Sequence, residues 1–148
     1  MPAVLVDTNI LVHAHNATDP VKQTQAIQVL DHLHTNGIGR LSAQTLAEFF
    51  AATTGGTRSL LTIVQASKQV ENLSISWTVL DINSLIVIEA IRGVREHKFS
   101  YWDAQVWAIA RLNQIPVVFT EDFNPGAVIE GIRFVNPFAT GFVLTDWQ

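Results

Sequence analysis

Short apolar runs alternate along the chain with longer segments in which apolar residues return every three or four positions, a pattern that predicts strands and helices in turn. Ala3–Val6 is an unbroken apolar run of the kind that forms a buried parallel strand, and it stops abruptly at Asp7, Thr8 and Asn9. Pro20–Asn36 reads as a helix, entered through Asp19 as N-cap with Pro20 at the first helical position and left through Gly37. Gly39–Ser42 predicts a brief strand, and Ser42 then caps a helix that reaches about Thr54 before the break at Gly55 and Gly56. Ser59–Leu73 is a further helix, Ser76–Ile82 a strand, Ser84–His97 a helix and Tyr101–Asn113 another. Pro116–Thr120 and Ile132–Val135 complete the set as strands. Helices between successive strands imply right-handed crossovers, so the class is α/β with helices on both faces of a mostly parallel sheet.

Length and composition narrow the possible chemistry. With 148 residues, 48% of them hydrophobic, the chain is enough for one compact domain and too short for two. The absence of cysteine removes disulfides, thiolate nucleophiles and cysteine-based metal sites. No apolar run approaches the roughly 20 residues of a membrane span, and no basic-then-apolar leader opens the chain, so the expectation is a soluble, cytoplasmic protein with no membrane contact. A net charge of −4 argues at first against a polyanionic partner. If four acids form one metal cluster, however, nine acidic residues remain against nine basic ones. Any hold on phosphate then comes from metal and local basic patches rather than from a global field.

Open α/β sheets place their ligand sites at the carboxyl ends of the strands, which directs attention to particular acids. Asp7 sits just past the first strand and Asp122 two residues past Thr120, so both are expected at one edge of the sheet. Each alone also suits an Asx-turn or a helix N-cap. Glu48 lies inside a largely apolar helix, flanked by Leu46, Ala47, Phe49 and Phe50, which places its carboxylate near the core boundary. Gln44, four residues earlier, supports the alternative of a solvent-facing stripe. Asp103 falls in the first turn of its helix, where the helix dipole alone favours a negative charge. It borders an apolar stripe of Trp102, Val106, Ile109 and Ala110 that is expected to face the core, and Trp102 and Trp107 are read as core or interface residues. Arg92, Arg95 and Lys98 recur every three residues toward Asp103 and are candidates for substrate binding or a solvated helix face, with Arg40 and Arg58 as similar candidates. His13 and His15 form an H-x-H pair without a third metal ligand nearby.

Taken in order, these acids carry a resemblance. Val6-Asp7-Thr8-Asn9-Ile10, Thr45-Leu46-Ala47-Glu48-Phe49, Ser100-Tyr101-Trp102-Asp103-Ala104 and Thr120-Glu121-Asp122-Phe123 resemble the four acidic motifs of the PIN-domain family, and most of all the VapC-type toxins of type II toxin–antitoxin systems. The segment Gly131–Phe138 resembles the closing strand of one VapC-like branch. The resemblance implies a three-layer α/β/α fold with a mostly parallel central sheet of four to five strands. Residues 1–138 would be a single PIN-like domain and 139–148 a C-terminal extension of unknown role. It further implies a Mg²⁺-dependent endoribonuclease, with Mn²⁺ as a possible substitute, that leaves a 5′-phosphate and a 3′-hydroxyl. Asp7 and Asp103 would be direct metal ligands, completed by Glu48 and Asp122 directly or through water. The family pattern selects Asp122 over its neighbour Glu121, which extended backbone would turn elsewhere. Thr8, Asn9 and Thr120 are given supporting roles around the acids. The partners implied are an RNA substrate, a second copy of the chain in a homodimer and a small antitoxin protein.

Three other functions compete. A catalytically silent RNA- or protein-binding module would keep the acids without turnover, and an acidic-cluster nuclease acting on DNA would use the same chemistry. A phosphatase of the haloacid dehalogenase type needs a second aspartate two residues after the first, where this chain has Asn9. The chain departs from the family pattern after Phe138, where Phe142, Val143, Leu144 and Trp147 make an apolar tail expected to be buried on its own domain or on a neighbouring subunit.

Overall fold

The architecture follows from the alternation of side chains along two central strands. In a computed structural model describing residues 2–124 and 126–148, β1 (Val4–Val6) and β4 (Val117–Phe119) run parallel side by side, with Val6 opposite Phe119. Val4, Val6, Val117 and Phe119 face one core, whereas Leu5 and Val118 face the other, as the two-residue period of a strand requires. The first core takes helices α1 (Thr8–Ala14), α2 (Pro20–Thr35) and α3 (Ala43–Thr54), with α4 (Ile63–Ser76) at its margin. The second takes α5 (Ser84–His97) and α6 (Tyr101–Leu112). Three layers result.

Around the central pair lie β2 (Gly39–Ser42), β3 (Thr78–Leu80), the two-residue β5 (Val128–Ile129) and β6 (Ile132–Val135). The order among the described residues is β3-β2-β1-β4-β6-β5. Five strands are parallel, and β5 is an antiparallel addition folded back on β6 through Glu130 and Gly131, both at positive φ. After β1 the chain builds outward through β2 and β3, then crosses back to β4 on the other side of β1. That reversal makes the carboxyl ends of β1 and β4 the topological switch point, the position at which doubly wound sheets bind ligands.

Local chemistry sets the element boundaries. Asp19 caps α2 with Pro20 at its start, Ser42 caps α3 by accepting from the Thr45 N–H, and Asn83 caps α5. The fourth helix begins at Ile63 rather than Ser59, because Thr62 and Gln65 form a reciprocal capping box that fixes the start. The first strand stops before Asp7 as the sequence predicts, but the helix that follows it, α1, is not among the predicted elements. Asp7 is itself the N-cap of a seven-residue helix, too short to show a full apolar period, whose Ile10 and Leu11 are buried. Between α5 and α6, Gly93 permits close approach: a Cβ there would lie 3.0 Å from the Trp107 ring.

The tail closes the first core. Phe142 and Trp147 meet the Phe119 ring edge-on at centroid distances of 5.5 and 5.0 Å, and the Trp147 carbonyl bonds the His32 ring. Phe142, Leu144 and Trp147 thus pack against their own domain, whereas Val143 stands 48% exposed. No described helix is long and apolar enough to cross a membrane.

Candidate metal centre

The first acid is positioned by the junction of β1 and α1. The backbone N–H of Asp7 donates to the Phe119 carbonyl at 3.0 Å, which fixes the residue beside the end of β4. Its Oδ1 accepts from the Thr8 N–H at 2.8 Å and its Oδ2 from Thr120 Oγ1 at 2.9 Å. Asp7 is only 7% exposed. Burial pushes its carboxyl from the ordinary 3.8 up to about 6; the bonds from Thr120 and Thr8 oppose the rise, while the charges of Glu48 and Asp122 add to it.

Thr120 is the hub of the site. Its hydroxyl donates to Asp7 and accepts from Asn9 Nδ2 at 3.1 Å and the Asp122 N–H at 3.2 Å, which uses its one donor and both lone pairs. Asn9 Nδ2 also donates to Asp122 Oδ2 at 2.9 Å. The loop carrying Asp122 is pinned by Phe123, which stacks on Phe134 at a centroid distance of 4.0 Å.

Glu48 approaches from α3. Thr45 Oγ1 donates to the Val6 carbonyl at 3.3 Å and so ties the start of that helix to the end of β1. Glu48 Oε1 accepts from Thr8 Oγ1 at 3.1 Å and from Gln44 Nε2 at 3.0 Å. Gln44 therefore pairs with Glu48 at the expected i,i+4 spacing, but as a residue only 5% exposed rather than as part of a solvent stripe. Asp103 lies in the first turn of α6, capped by Ser100, and its carboxylate has no protein partner among the described residues. The same Gln44 amide donates to the Trp102 carbonyl at 3.2 Å, linking this helix end to Glu48.

The structure thus brings Asp7, Glu48 and Asp122 into one hydrogen-bond network through Thr8, Asn9 and Thr120, and joins the Asp103 turn to it through Gln44. No three of these four acids have ligand oxygens mutually within 4.8 Å; among the described residues that spacing occurs at Glu96, His97 and Glu130. Nor does any described lysine, arginine or histidine form an ion pair with the four. An all-oxygen, negatively charged and uncompensated donor set fits a hard divalent cation.

Other candidates fall elsewhere. Arg92 is held by Glu89, Glu96 and Glu130 at 2.6 to 2.9 Å, so its guanidinium serves an ion-pair network rather than an open groove. Arg95 is exposed beside Glu96, and Lys98 ends α5 in a left-handed conformation with its ammonium on the Arg95 carbonyl. Arg40 donates to the carbonyls of Gly37 and Gly39, and Arg58 is exposed between α3 and α4. Glu121 turns away from Asp122 to meet His13 and Lys22, while His15 packs on Phe49. Trp102 corrects the sequence expectation. Val106, Ile109 and Ala110 are buried as expected, but Trp102, one turn earlier, stands 61% exposed in the first turn of α6. It borders an apolar groove with Ala47, Ala51 and Ile82, and Glu48 lies on the rim. Sequence reasoning missed Gln105, 4% exposed, whose signal was a polar residue inside the apolar run of α6.

A parallel α/β sheet with acids at the carboxyl ends of its central strands defines the class. A model of the PIN domain matches residues 4–128, and the chain belongs to that family. The fold is similar to that of a chain in a toxin–antitoxin complex from Klebsiella pneumoniae, with a TM-score of 0.67 and 23% identity over 92% of this chain and 98% of that one. It is also similar to VapC20 from Mycobacterium tuberculosis, described as a sarcin–ricin loop cleaving toxin, with a TM-score of 0.65 and 18% identity over 88% of this chain and 99% of that one. A third likeness is to VapBC2 from Rickettsia felis, bound to a DNA fragment from its promoter, with a TM-score of 0.63 and 14% identity over 89% of this chain and 96% of that one. No curated protein matches the sequence.

Proposed function

We propose that the chain is a divalent-metal-dependent endoribonuclease and the toxin of a toxin–antitoxin pair. One observation carries this reading: a buried, uncompensated Asp7 joined by Thr120, Asn9 and Thr8 to Asp122 and Glu48 at the carboxyl ends of β1 and β4. Membership of the PIN domain family and the likeness to toxin structures support it.

In this reading Asp7 and Asp103 hold the cation, Mg²⁺ or Mn²⁺, and Glu48 and Asp122 complete the set directly or through water. The bound cation supplies positive charge that acidifies a water and neutralises the scissile phosphate. Thr120 holds Asp7 in one rotamer, Asn9 bridges the Asp122 carboxylate to the Thr120 hydroxyl, and Thr8 fixes one oxygen of Glu48. These residues keep the carboxylates spread around the strand ends, so little reorganisation is needed when substrate arrives. No histidine or serine nucleophile is required. The further partners in this reading are a small antitoxin and a second copy of the chain, with the cytoplasm as the site of action.

The test is incubation of partner-free protein with total cellular RNA and Mg²⁺, followed by mapping of new 5′-phosphate ends, with EDTA and Asp103→Asn controls. Discrete ends lost in both controls are expected. Folded, Mg²⁺-binding protein that yields no new ends would overturn the nuclease assignment in favour of a silent binding module, and cleavage confined to DNA would move the substrate.

A further inference from the structure

Behind Glu48 runs a chain of buried side chains that the metal site proper does not use. Tyr101 Oη donates to Gln105 Oε1 at 2.7 Å, Gln105 Nε2 donates to Gln44 Oε1 at 2.9 Å, and Gln44 Nε2 donates to Glu48 Oε1 at 3.0 Å and to the Trp102 carbonyl at 3.2 Å. Gln44 and Gln105 are both at least nineteen-twentieths buried, at 5% and 4% exposure. Buried amides need partners for every polar atom, and here the direction of each bond is fixed by chemistry. A carboxylate and a backbone carbonyl only accept, so the Gln44 amide nitrogen must face both. Its oxygen must then face the Gln105 nitrogen, and the Gln105 oxygen must face the one hydroxyl within reach.

We infer that Gln44, Gln105 and Tyr101 form a one-way hydrogen-bond relay whose task is to position Glu48 and to hold the Asp103 end of α6 at a set separation from it, an inference that rests on the metal-site reading above. With Gln44 and Thr8 both donating to Oε1, that oxygen is occupied. No protein donor among the described residues reaches Oε2, which is left as the oxygen offered to a cation or its water. Because the two hydrogens of a single amide grip Glu48 and the carbonyl just before Asp103, α3 and α6 cannot shift apart without breaking the relay. Buried polar networks of this kind are costly unless complete, and this one is complete along its length. The three residues are positioning residues: they act through Glu48 and the α6 terminus.

The test is Mn²⁺ titration calorimetry on the full chain without RNA, beside kcat and KM for RNA cleavage. Gln44→Met, matched in length but unable to donate, is expected to weaken Mn²⁺ binding by about ten- to a hundredfold and to lower kcat with little change in KM. Gln105→Met follows in the same direction with a smaller effect. In a Glu48→Gln background, Gln44→Met should cost clearly less in Mn²⁺ affinity than it does in wild type, the remainder reporting its hold on the α6 terminus through the Trp102 carbonyl, whereas a merely structural glutamine would give fully multiplying losses. If Gln44→Met fails to fold, Tyr101→Phe at the half-buried end of the relay carries the test, with an expected loss of about threefold in Mn²⁺ affinity. Unchanged Mn²⁺ affinity in these variants, or fully multiplying losses in the double variant, would overturn the relay. Wild-type protein that binds no Mn²⁺ overturns the metal site and the relay together. Affinity changes as expected without RNA cleavage leave the relay standing and overturn the nuclease alone.

Discussion

Two groups of carboxylates occupy this small domain, and they differ in what answers their charge. Glu89, Glu96 and Glu130 surround Arg92, with Arg111 and His97 closing the network. The Arg92 guanidinium holds the Glu130 carboxyl down at about 2, and it likewise lowers Glu89. Asp7, Glu48, Asp103 and Asp122 have no such cation among the described residues, and burial drives Asp7 upward instead. Proximity alone would point away from the proposed site, because Glu96, His97 and Glu130 have the tighter spacing of ligand atoms. Their charge is already balanced by arginine. The looser group at the strand ends has a charge still to be neutralised, and that deficit is the ground on which the proposed site is set apart from the ion-pair network.

The sharpest way to break the comparison is to remove one uncompensated acid. Asp7→Asn should lower Mg²⁺-dependent RNA cleavage by at least about a hundredfold, beyond the usual cost of a change outside the ligand set. The same variant should raise the melting temperature of metal-free protein, since it deletes a buried carboxylate that opposes folding at neutral pH. Cleavage assays and calorimetric melts in EDTA check the two halves. A variant that loses activity and stability together would place Asp7 with the structural acids.

Much of this contrast was legible in the sequence, and what was hidden has physical causes. Asp7 and Asp122 could be placed because strand ends in a parallel sheet share one edge. Glu48 could be suspected because a carboxylate between Ala47 and Phe49 needs a reason to be there. The pairing of Arg92 with Glu130 was hidden, since Glu130 sits 38 residues away on a hairpin whose first strand has only two residues. The i,i+3 rhythm of Arg92, Arg95 and Lys98 suggested a basic face, but only the fold supplies the acids opposite. Trp102 misled because helical periodicity says which face a residue occupies and not whether the sheet extends far enough to cover it.

A pH series on metal-free protein sharpens the difference next. The folded-state value of Asp7, about 6, lies above its ordinary 3.8, so the folded protein binds the extra proton between those values. Stability from this group is therefore present in acid and lost as pH rises through about 6, a swing of roughly 3 kcal/mol. Glu130 and Glu89, held low by arginine, act in the opposite sense: their contribution is present above the ordinary 4.5 and lost as pH falls through their folded-state values, about 2 for Glu130. Denaturation midpoints in EDTA should accordingly be highest near about pH 5, falling toward neutrality because of Asp7 and in stronger acid because of the arginine-held group. Saturating Mg²⁺ should remove the decline toward pH 7, because the cation favours the ionised carboxylate. A decline unchanged by Mg²⁺ would separate Asp7 from the metal site. Within the compensated group, Arg92→Met should cost about 1 to 2 kcal/mol in urea denaturation while leaving cleavage within about threefold of wild type.

The smallest effect tests the comparison at adjacent residues. Glu121 and Asp122 are neighbours, yet Glu121 reaches Lys22 at 2.6 Å and the His13 ring, whereas among the described residues Asp122 is met only by Asn9 and Thr120. Although partial burial raises the Glu121 carboxyl, the bonds from His13 and Lys22 outweigh it and leave the group below its ordinary value. It thus belongs with the arginine-held glutamates despite its position. Glu121→Gln should cost about 1 kcal/mol or less, because both partners are within reach of solvent, and should leave cleavage within about threefold of wild type. Asp122→Asn should leave stability nearly unchanged and lower cleavage by about tenfold or more. Paired melts and cleavage rates for the two variants read the contrast directly, and an activity loss at Glu121 equal to that at Asp122 would show that compensation by a neighbouring cation does not separate structural acids from those at the metal site.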